Sequence, residues 1–132
     1  MANHGPLRPK VLIVDDDRDS AELLHELLRD AGYAVASAYD GAAALDMLMT
    51  HEPAVILVDL RMPTIDGWSF IERYRGRGGH ARILVITALG DVVKRQPIAG
   101  VDALAFKPFE LEDLLATVAD LVQPRDASLP VA

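Results

Sequence analysis

Four places in this sequence carry side chains able to do chemistry together. Asp15-Asp16-Asp17 follows the apolar run Val11-Leu12-Ile13-Val14, and Asp59 follows Ala54-Val55-Ile56-Leu57-Val58. Thr87 follows Ile83-Leu84-Val85-Ile86, and Lys107 follows Ala103-Leu104-Ala105-Phe106. Several carboxylates at one place repel one another, and some would hold protons at neutral pH unless a cation compensates them. Mg²⁺ suits such an all-oxygen set, taking roughly one to three carboxylates, a carbonyl and waters. A carboxylate nucleophile, a divalent ion, an ammonium and a hydroxyl together make a phosphoryl-transfer site. Asp59 would attack in line, Mg²⁺ and Lys107 would neutralise the phosphoryl oxygens, and Thr87 would hydrogen-bond one of them. Each residue alone has a plainer reading: a turn aspartate, a strand-end threonine bonding backbone, a solvated lysine. Asp17 and Asp19 are read in that plainer way, as acids that favour a helix N-terminus. For the other four places, the shared position at the end of an apolar run favours the chemistry.

Those runs must be strands that bring their carboxyl ends to one edge. Short uninterrupted runs rich in β-branched residues read as strands buried on both faces, as in a parallel sheet under helices. Between them lie helical patterns. Leu23, Leu24, Leu27 and Leu28 make the apolar stripe of the first, with Gly32 closing it. Tyr33–Ala38 is a weakly patterned strand, and Asp40 caps a second helix facing inward through Ala44, Leu45, Leu48 and Met49. After Pro63 and the loop Thr64–Gly67, a third helix carries Trp68, Phe70, Ile71 and Tyr74, and Gly76–Gly79 is a loop. A poor helix over Asp91–Gln96 is cut off by Pro97. Glu110–Val122 is amphipathic, with Leu111, Leu114, Leu115, Val118 and Leu121 inward. The alternation is five βα units, an α/β doubly wound, flavodoxin-like fold with a five-stranded parallel sheet in the order 2-1-3-4-5. In that order the crevice opens between strands 1 and 3, which sets Asp15–Asp17 beside Asp59. The organisation is an N-terminal extension over 1–9, one domain over 10–122 and a tail over 123–132.

Composition narrows the class. The 132 residues are 51% hydrophobic and 25% charged, as expected of one globular domain. A net charge of −7 argues against direct nucleic-acid binding. Cysteine is absent, which excludes disulfides and thiolate metal sites. The start, Met1–Lys10, has no apolar core and does not read as a signal peptide. No run approaches the ~20 apolar residues of a membrane span. A cytoplasmic protein without membrane contact is the expectation. His4, His25, His51 and His80 show no ligand spacing and read as surface residues, while Trp68 and the methionines read as packing.

In these blocks the chain resembles the receiver domains of two-component response regulators. Val14-Asp15-Asp16-Asp17 is similar to the family's acidic pair, and Val58-Asp59-Leu60-Arg61-Met62-Pro63 with Asp66-Gly67 to its phosphoacceptor block. Val85-Ile86-Thr87-Ala88 and Phe106-Lys107-Pro108-Phe109 are similar to the remaining two. The resemblance runs from about Lys10 to Val122. It implies that Asp59 accepts a phosphoryl group from a phosphohistidine on a histidine kinase or histidine phosphotransfer protein and so switches a downstream partner. It implies Mg²⁺, with Mn²⁺ a possible substitute, held directly by Asp16, Asp59 and the Arg61 carbonyl and through water by Asp15. It implies a cis Lys107–Pro108 bond and a switch rather than a conventional enzyme, with slow loss of the phosphoryl group. Ala88, Leu89 and position 104 would carry the change to the output face.

The sequence departs from the family's pattern at Leu104, where Tyr or Phe is usual, and in the short, Pro97-interrupted segment from Thr87 to Lys107. Backbone movement over Leu89–Gly100 is the expected carrier of the signal in place of an aromatic. Arg61 and Leu89 would flank the path of water to the phosphoryl group. Two other readings remain open: a pseudo-receiver that only binds partners, and a haloacid-dehalogenase-like phosphohydrolase using Asp15-Asp16-Asp17 as its D-x-D. The tail after Pro124 is too short for an effector domain, so the chain is either a stand-alone regulator or part of a longer one.

Overall fold

The computed structural model describes residues 8–88 and 99–123. The strands are β1 (Lys10–Val14), β2 (Ala34–Ala38), β3 (Val55–Asp59), β4 (Arg82–Thr87) and β5 (Ala103–Phe106). Among the described residues the helices are α1 (Arg18–Asp30), α2 (Gly41–Met47), α3 (Gly67–Gly76) and α4 (Leu111–Leu121). All strands pair in parallel in the order β2-β1-β3-β4-β5, as the alternation predicts.

The apolar runs lack alternation because both faces of the three inner strands are covered. Leu12, Val14, Ile56, Val58, Ile83 and Val85 face one cluster, under Ala44 and Leu45 of α2 and Phe70, Ile71 and Tyr74 of α3. Val11, Ile13, Val55, Leu57, Leu84 and Ile86 face the other, under Ala21, Leu24 and Leu28 of α1 and Leu114, Val118 and Leu121 of α4. Each fully buried Leu or Ile contributes about 1.5–3 kcal/mol relative to exposure, so the inner strands are the stiffest platform available. Their registers pair Val14 with Val58 and Asp59 with Ile86, which brings the strand ends to one edge. At the opposite edge Arg75 donates to the Gly100 carbonyl at 2.8 Å and to Asp102 Oδ2 at 3.2 Å, and Asp102 Oδ2 also accepts from the Ile83 amide at 2.8 Å. That clamp holds the start of β5 against α3 and β4.

The caps are as the sequence predicts at two helices. Gly32, at φ +106°, follows the α1 C-cap; its N–H bonds Arg29 O and that of Tyr33 bonds Leu28 O, a Schellman closure. Asp40 Oδ1 accepts the Ala43 N–H at 2.7 Å and so caps α2.

Two helix faces differ from the expected ones. In α1 the buried set is Ala21, Leu24 and Leu28, while Leu23 is 59% exposed. At 100° per residue, Ala21 lies roughly 20° beyond Leu28 on the Leu24–Leu28 stripe and Leu23 roughly 120° from its middle, so a small residue takes the place expected of a leucine. The second helix ends at Met47, so Met49 lies beyond the helical register and is 72% exposed. His25 is half-buried rather than at the surface, with Nδ1 2.9 Å from Ser37 Oγ on β2. The expected helix over Asp91–Gln96, Pro97, Leu89, His4 and the tail after Pro124 lie outside the described residues.

Candidate functional site

β3 delivers Asp59 to the edge, and the loop behind it fixes the carboxylate. Asp59 Oδ1 accepts the Arg61 backbone N–H at 3.0 Å, folding the chain back over the strand end. The Gly67 N–H then donates to Leu60 O at 2.9 Å, and Asp66 Oδ1 caps α3 by accepting the Ser69 N–H at 2.8 Å. A Cβ on Gly67 would lie 2.6 Å from Leu60 Cα and 2.8 Å from Asp59 O, so only glycine lets α3 begin this close to the strand. Thr64, between Pro63 and Ile65, has φ +68°, a strained conformation for a β-branched residue.

β1 brings the second carboxylate in beside the first. The Asp15 N–H donates to Ala38 O at 3.1 Å, extending the sheet by one bond, and its side chain is buried. Asp15 Oδ1 accepts the Asp17 N–H at 3.0 Å. Burial pushes the Asp15 carboxyl above its ordinary range; the Asp17 N–H opposes this, and the charges of Asp59 and Asp16 add to it. Asp17 is the α1 N-cap, accepting from the Asp19 and Ser20 N–H groups and from Ser20 Oγ at 3.0 Å. The Ser20 hydroxyl, first among these bonds, holds its carboxyl below the ordinary range. Asp16 is exposed and accepts no hydrogen bond from the described residues.

Lys107 arrives from β5. Its backbone N–H donates to Thr87 O at 2.9 Å, its peptide bond to Pro108 is cis, and its Nζ donates to Asp59 Oδ2 at 2.9 Å. Burial pulls the ammonium's pKa down, but the bond to Asp59 and the charges of Asp59, Asp15 and Asp17 together outweigh it and raise it. Lys107 therefore stays charged throughout the neutral range. Thr87 is buried at the end of β4, with its Cα paired to that of Phe106, and Ala88 beyond it is exposed. Leu104 and Phe106 point to one side of β5 and are 42% and 39% exposed, while Ala103 and Ala105 pack toward α4.

The structure thus gathers Asp15, Asp16, Asp59 and Lys107 at neighbouring strand ends, with Thr87 ending the strand between β3 and β5. No three Asp, Glu, His or Cys side chains form a preformed metal cage among the described residues. The donor set still fits Mg²⁺, which keeps several waters and needs only one or two carboxylates. Burial first, and the charges of Asp59 and Asp16 in lesser part, disfavour the ionised Asp15, a penalty that a divalent cation would offset. Sequence reasoning missed one neighbour of the site: the Arg18 guanidinium, in the first turn of α1, lies over the Tyr39 ring at 4.0 Å from its centroid. Nothing local signals that contact, because it depends on the β1–β2 register.

No helix among the described residues is long and apolar enough to cross a membrane. Comparison with known proteins converges on one family. The response regulator receiver domain profile matches residues 11–119. The chain is 41% identical over 130 residues to the response regulator MprA of Mycobacterium tuberculosis, an alignment covering 93% of this chain and 56% of that protein. The MprA of Mycobacterium avium is 40% identical over the same shares, so the chain spans little more than half the length of these curated relatives. Among solved structures, the chemotaxis response regulator CheY4 of Vibrio cholerae is 32% identical with a TM-score of 0.80, covering 87% of this chain and 99% of that one. The response regulator TrrA of Thermotoga maritima, solved in complex with Mg²⁺ and BeF, is 27% identical with a TM-score of 0.79, covering 86% and 98%. With Asp59 against Lys107 at the strand ends and the matched profile spanning β1 to α4, the chain belongs to the response regulator receiver domain family.

Proposed function

We propose that this domain is a phosphoacceptor switch in which Asp59 receives a phosphoryl group from a phosphohistidine on a histidine kinase or histidine phosphotransfer protein. The observation that carries the reading is the 2.9 Å contact between Lys107 Nζ and Asp59 Oδ2, beside the buried Asp15. An Asp59 oxygen attacks phosphorus as the P–N bond breaks; the electron pair stays on the imidazole nitrogen, which takes a proton from solvent. Lys107 follows the transferred oxygens from the carboxylate it already touches, and the Thr87 hydroxyl donates to one of them. Asp16, Asp59 and the Arg61 carbonyl would hold Mg²⁺ directly, with Asp15 acting through water. Bound there, the ion supplies positive charge to the phosphoryl oxygens and offsets the carboxylates. Arg61 would border the approach of water to the phosphoryl group, which is lost slowly by hydrolysis. The product is a change in binding to a downstream partner, in the cytoplasm, and the domain spans residues 10–122 between the 1–9 extension and the 123–132 tail.

Leu104 and Ala88 stand on the side where that change would be read out. An Asp59–Lys107 pair favours phosphoacceptance over a domain that only binds partners. Incubation with acetyl phosphate and Mg²⁺ is expected to add one phosphoryl mass to the wild type and none to Asp59→Asn. Full retention of the adduct in Asp59→Asn overturns the assignment.

A further inference from the structure

Arg18 sits where an arginine should be captured by its neighbours. It follows Asp16 and Asp17 and precedes Asp19, and Cα atoms two positions apart are at most about 7 Å from each other. An arginine side chain spans that easily, yet Arg18 forms no ion pair with any of these carboxylates. Its guanidinium carbon lies instead over the Tyr39 ring, 4.0 Å from the centroid. A cation–π contact of this kind holds the guanidinium without needing a carboxylate. Tyr39 is itself half-buried against the cluster beneath α1, directly after the Ala38 carbonyl that accepts the Asp15 N–H. The ring is therefore fixed to the same strand end that holds the acidic turn.

The consequence falls on Asp16. Asp15 accepts the Asp17 N–H and Asp17 is occupied by the α1 cap, which leaves Asp16 as the carboxylate of the three with no hydrogen bond from the described residues. We propose that Tyr39 holds Arg18 aside, keeping Asp16 free to bind a divalent cation; this rests on the Mg²⁺ reading of the site given above. Tyr39 is then a positioning residue that acts through Arg18. Without the ring, Arg18 becomes a tethered competitor for the carboxylate the ion needs.

The test is Mg²⁺ titration followed by the fluorescence of Trp68, the chain's single tryptophan, in the first turn of α3 after the loop that follows Asp59. It needs no phosphorylation. Tyr39→Leu is expected to raise the Kd for Mg²⁺ about two- to fivefold, the range an exposed arginine–carboxylate pair corresponds to. Tyr39→Phe, which keeps a ring, is expected to bind as the wild type does. Adding Arg18→Gln to Tyr39→Leu is expected to restore wild-type affinity, which a merely structural loss at Tyr39 would not allow. Tyr39→Val serves as a second aliphatic variant, and melting without Mg²⁺ identifies which variants are folded. Unchanged affinity in the folded aliphatic variants overturns the inference, as does a double variant as weak as Tyr39→Leu. If the wild type itself binds no Mg²⁺, the metal reading fails first and this inference with it.

Discussion

Gly67→Ala tests the geometry behind Asp59 without touching any group assigned to the chemistry. The new methyl would meet Leu60 Cα at 2.6 Å, Asp59 O at 2.8 Å and Leu60 Cδ2 at 2.9 Å. Two of those neighbours are backbone and cannot rotate away, so the start of α3 or the end of β3 must move. Overpacking of this kind costs about 1–3 kcal/mol, against which Ala gains at most about 1 kcal/mol of helix propensity. The expected net loss is about 1–2 kcal/mol, or roughly 3–8 °C in Tm for a domain of this size. The Gly67 N–H to Leu60 O bond closes the same loop that presents the Arg61 N–H to Asp59, so the rate of acetyl phosphate labelling should fall with it. Gly76→Ala is the control, because a Cβ there meets nothing within 4 Å and its φ is not in the left-handed region. That variant should match or exceed wild-type stability and label at the wild-type rate. If Gly67→Ala melts and labels like Gly76→Ala, the close approach does not position the loop and the reasoning is wrong.

Thr64→Gly should stabilise the fold by about 0.5–1 kcal/mol, since an exposed β-branched residue at φ +68° gives up a left-handed penalty of about 1–2 kcal/mol against a smaller loss of chain entropy; equal or lower stability in urea refutes this. Asp16→Asn should weaken Mg²⁺ binding more than Asp15→Asn, measured by calorimetry, and equal affinity of Asp16→Asn and wild type rejects its place as a ligand. Tyr74 gives a pH dependence. Burial first, with a smaller contribution from Glu52, raises its phenol above 10.0, so the stability tied to the neutral form is complete below that pH and is lost as pH rises through the folded value. Tyr74→Phe loses the Tyr74 Oη bond to the Ala81 N–H, about 0.5–1.5 kcal/mol, and should therefore be less stable at pH 8, with the gap to wild type closing above pH 10. A gap that widens with pH contradicts the sign.

What could be read from the sequence was what uniform burial writes into it. β1, β3 and β4 are covered on both faces, so their runs stand out without any partner being known, and the residues that end them mark one edge of the sheet. Helix faces were less legible. The inward position of Ala21 and the outward position of Leu23 depend on which way α1 is rolled against β1 and β2, and Leu content alone pointed to the wrong residue. Met49 was misplaced because α2 ends after two turns at Met47, with no proline or glycine to announce the stop. His25 with Ser37, and Arg18 with Tyr39, are meetings created by the β1–β2 register, which no local spacing encodes.

The site is built from parts of unequal stiffness, and this decides which of them can respond. Asp15 and Asp59 end strands whose residues are buried on both faces, and each carboxylate accepts a backbone N–H from the residue two positions on. Lys107 ends the edge strand β5, whose side chains alternate between half-buried and exposed. In the ion pair itself Asp59 is 12% exposed and Lys107 42%. An exposed lysine gains little from its carboxylate partner once solvent screening is allowed for, so the contact holds the ammonium only weakly. A phosphoryl group on Asp59 would offer it more oxygens and more charge. The carboxylate is thus the fixed partner and the lysine the adjustable one. Because the Lys107 N–H is bonded to Thr87 O, any shift of that lysine's backbone is felt at the end of β4, next to the exposed Ala88.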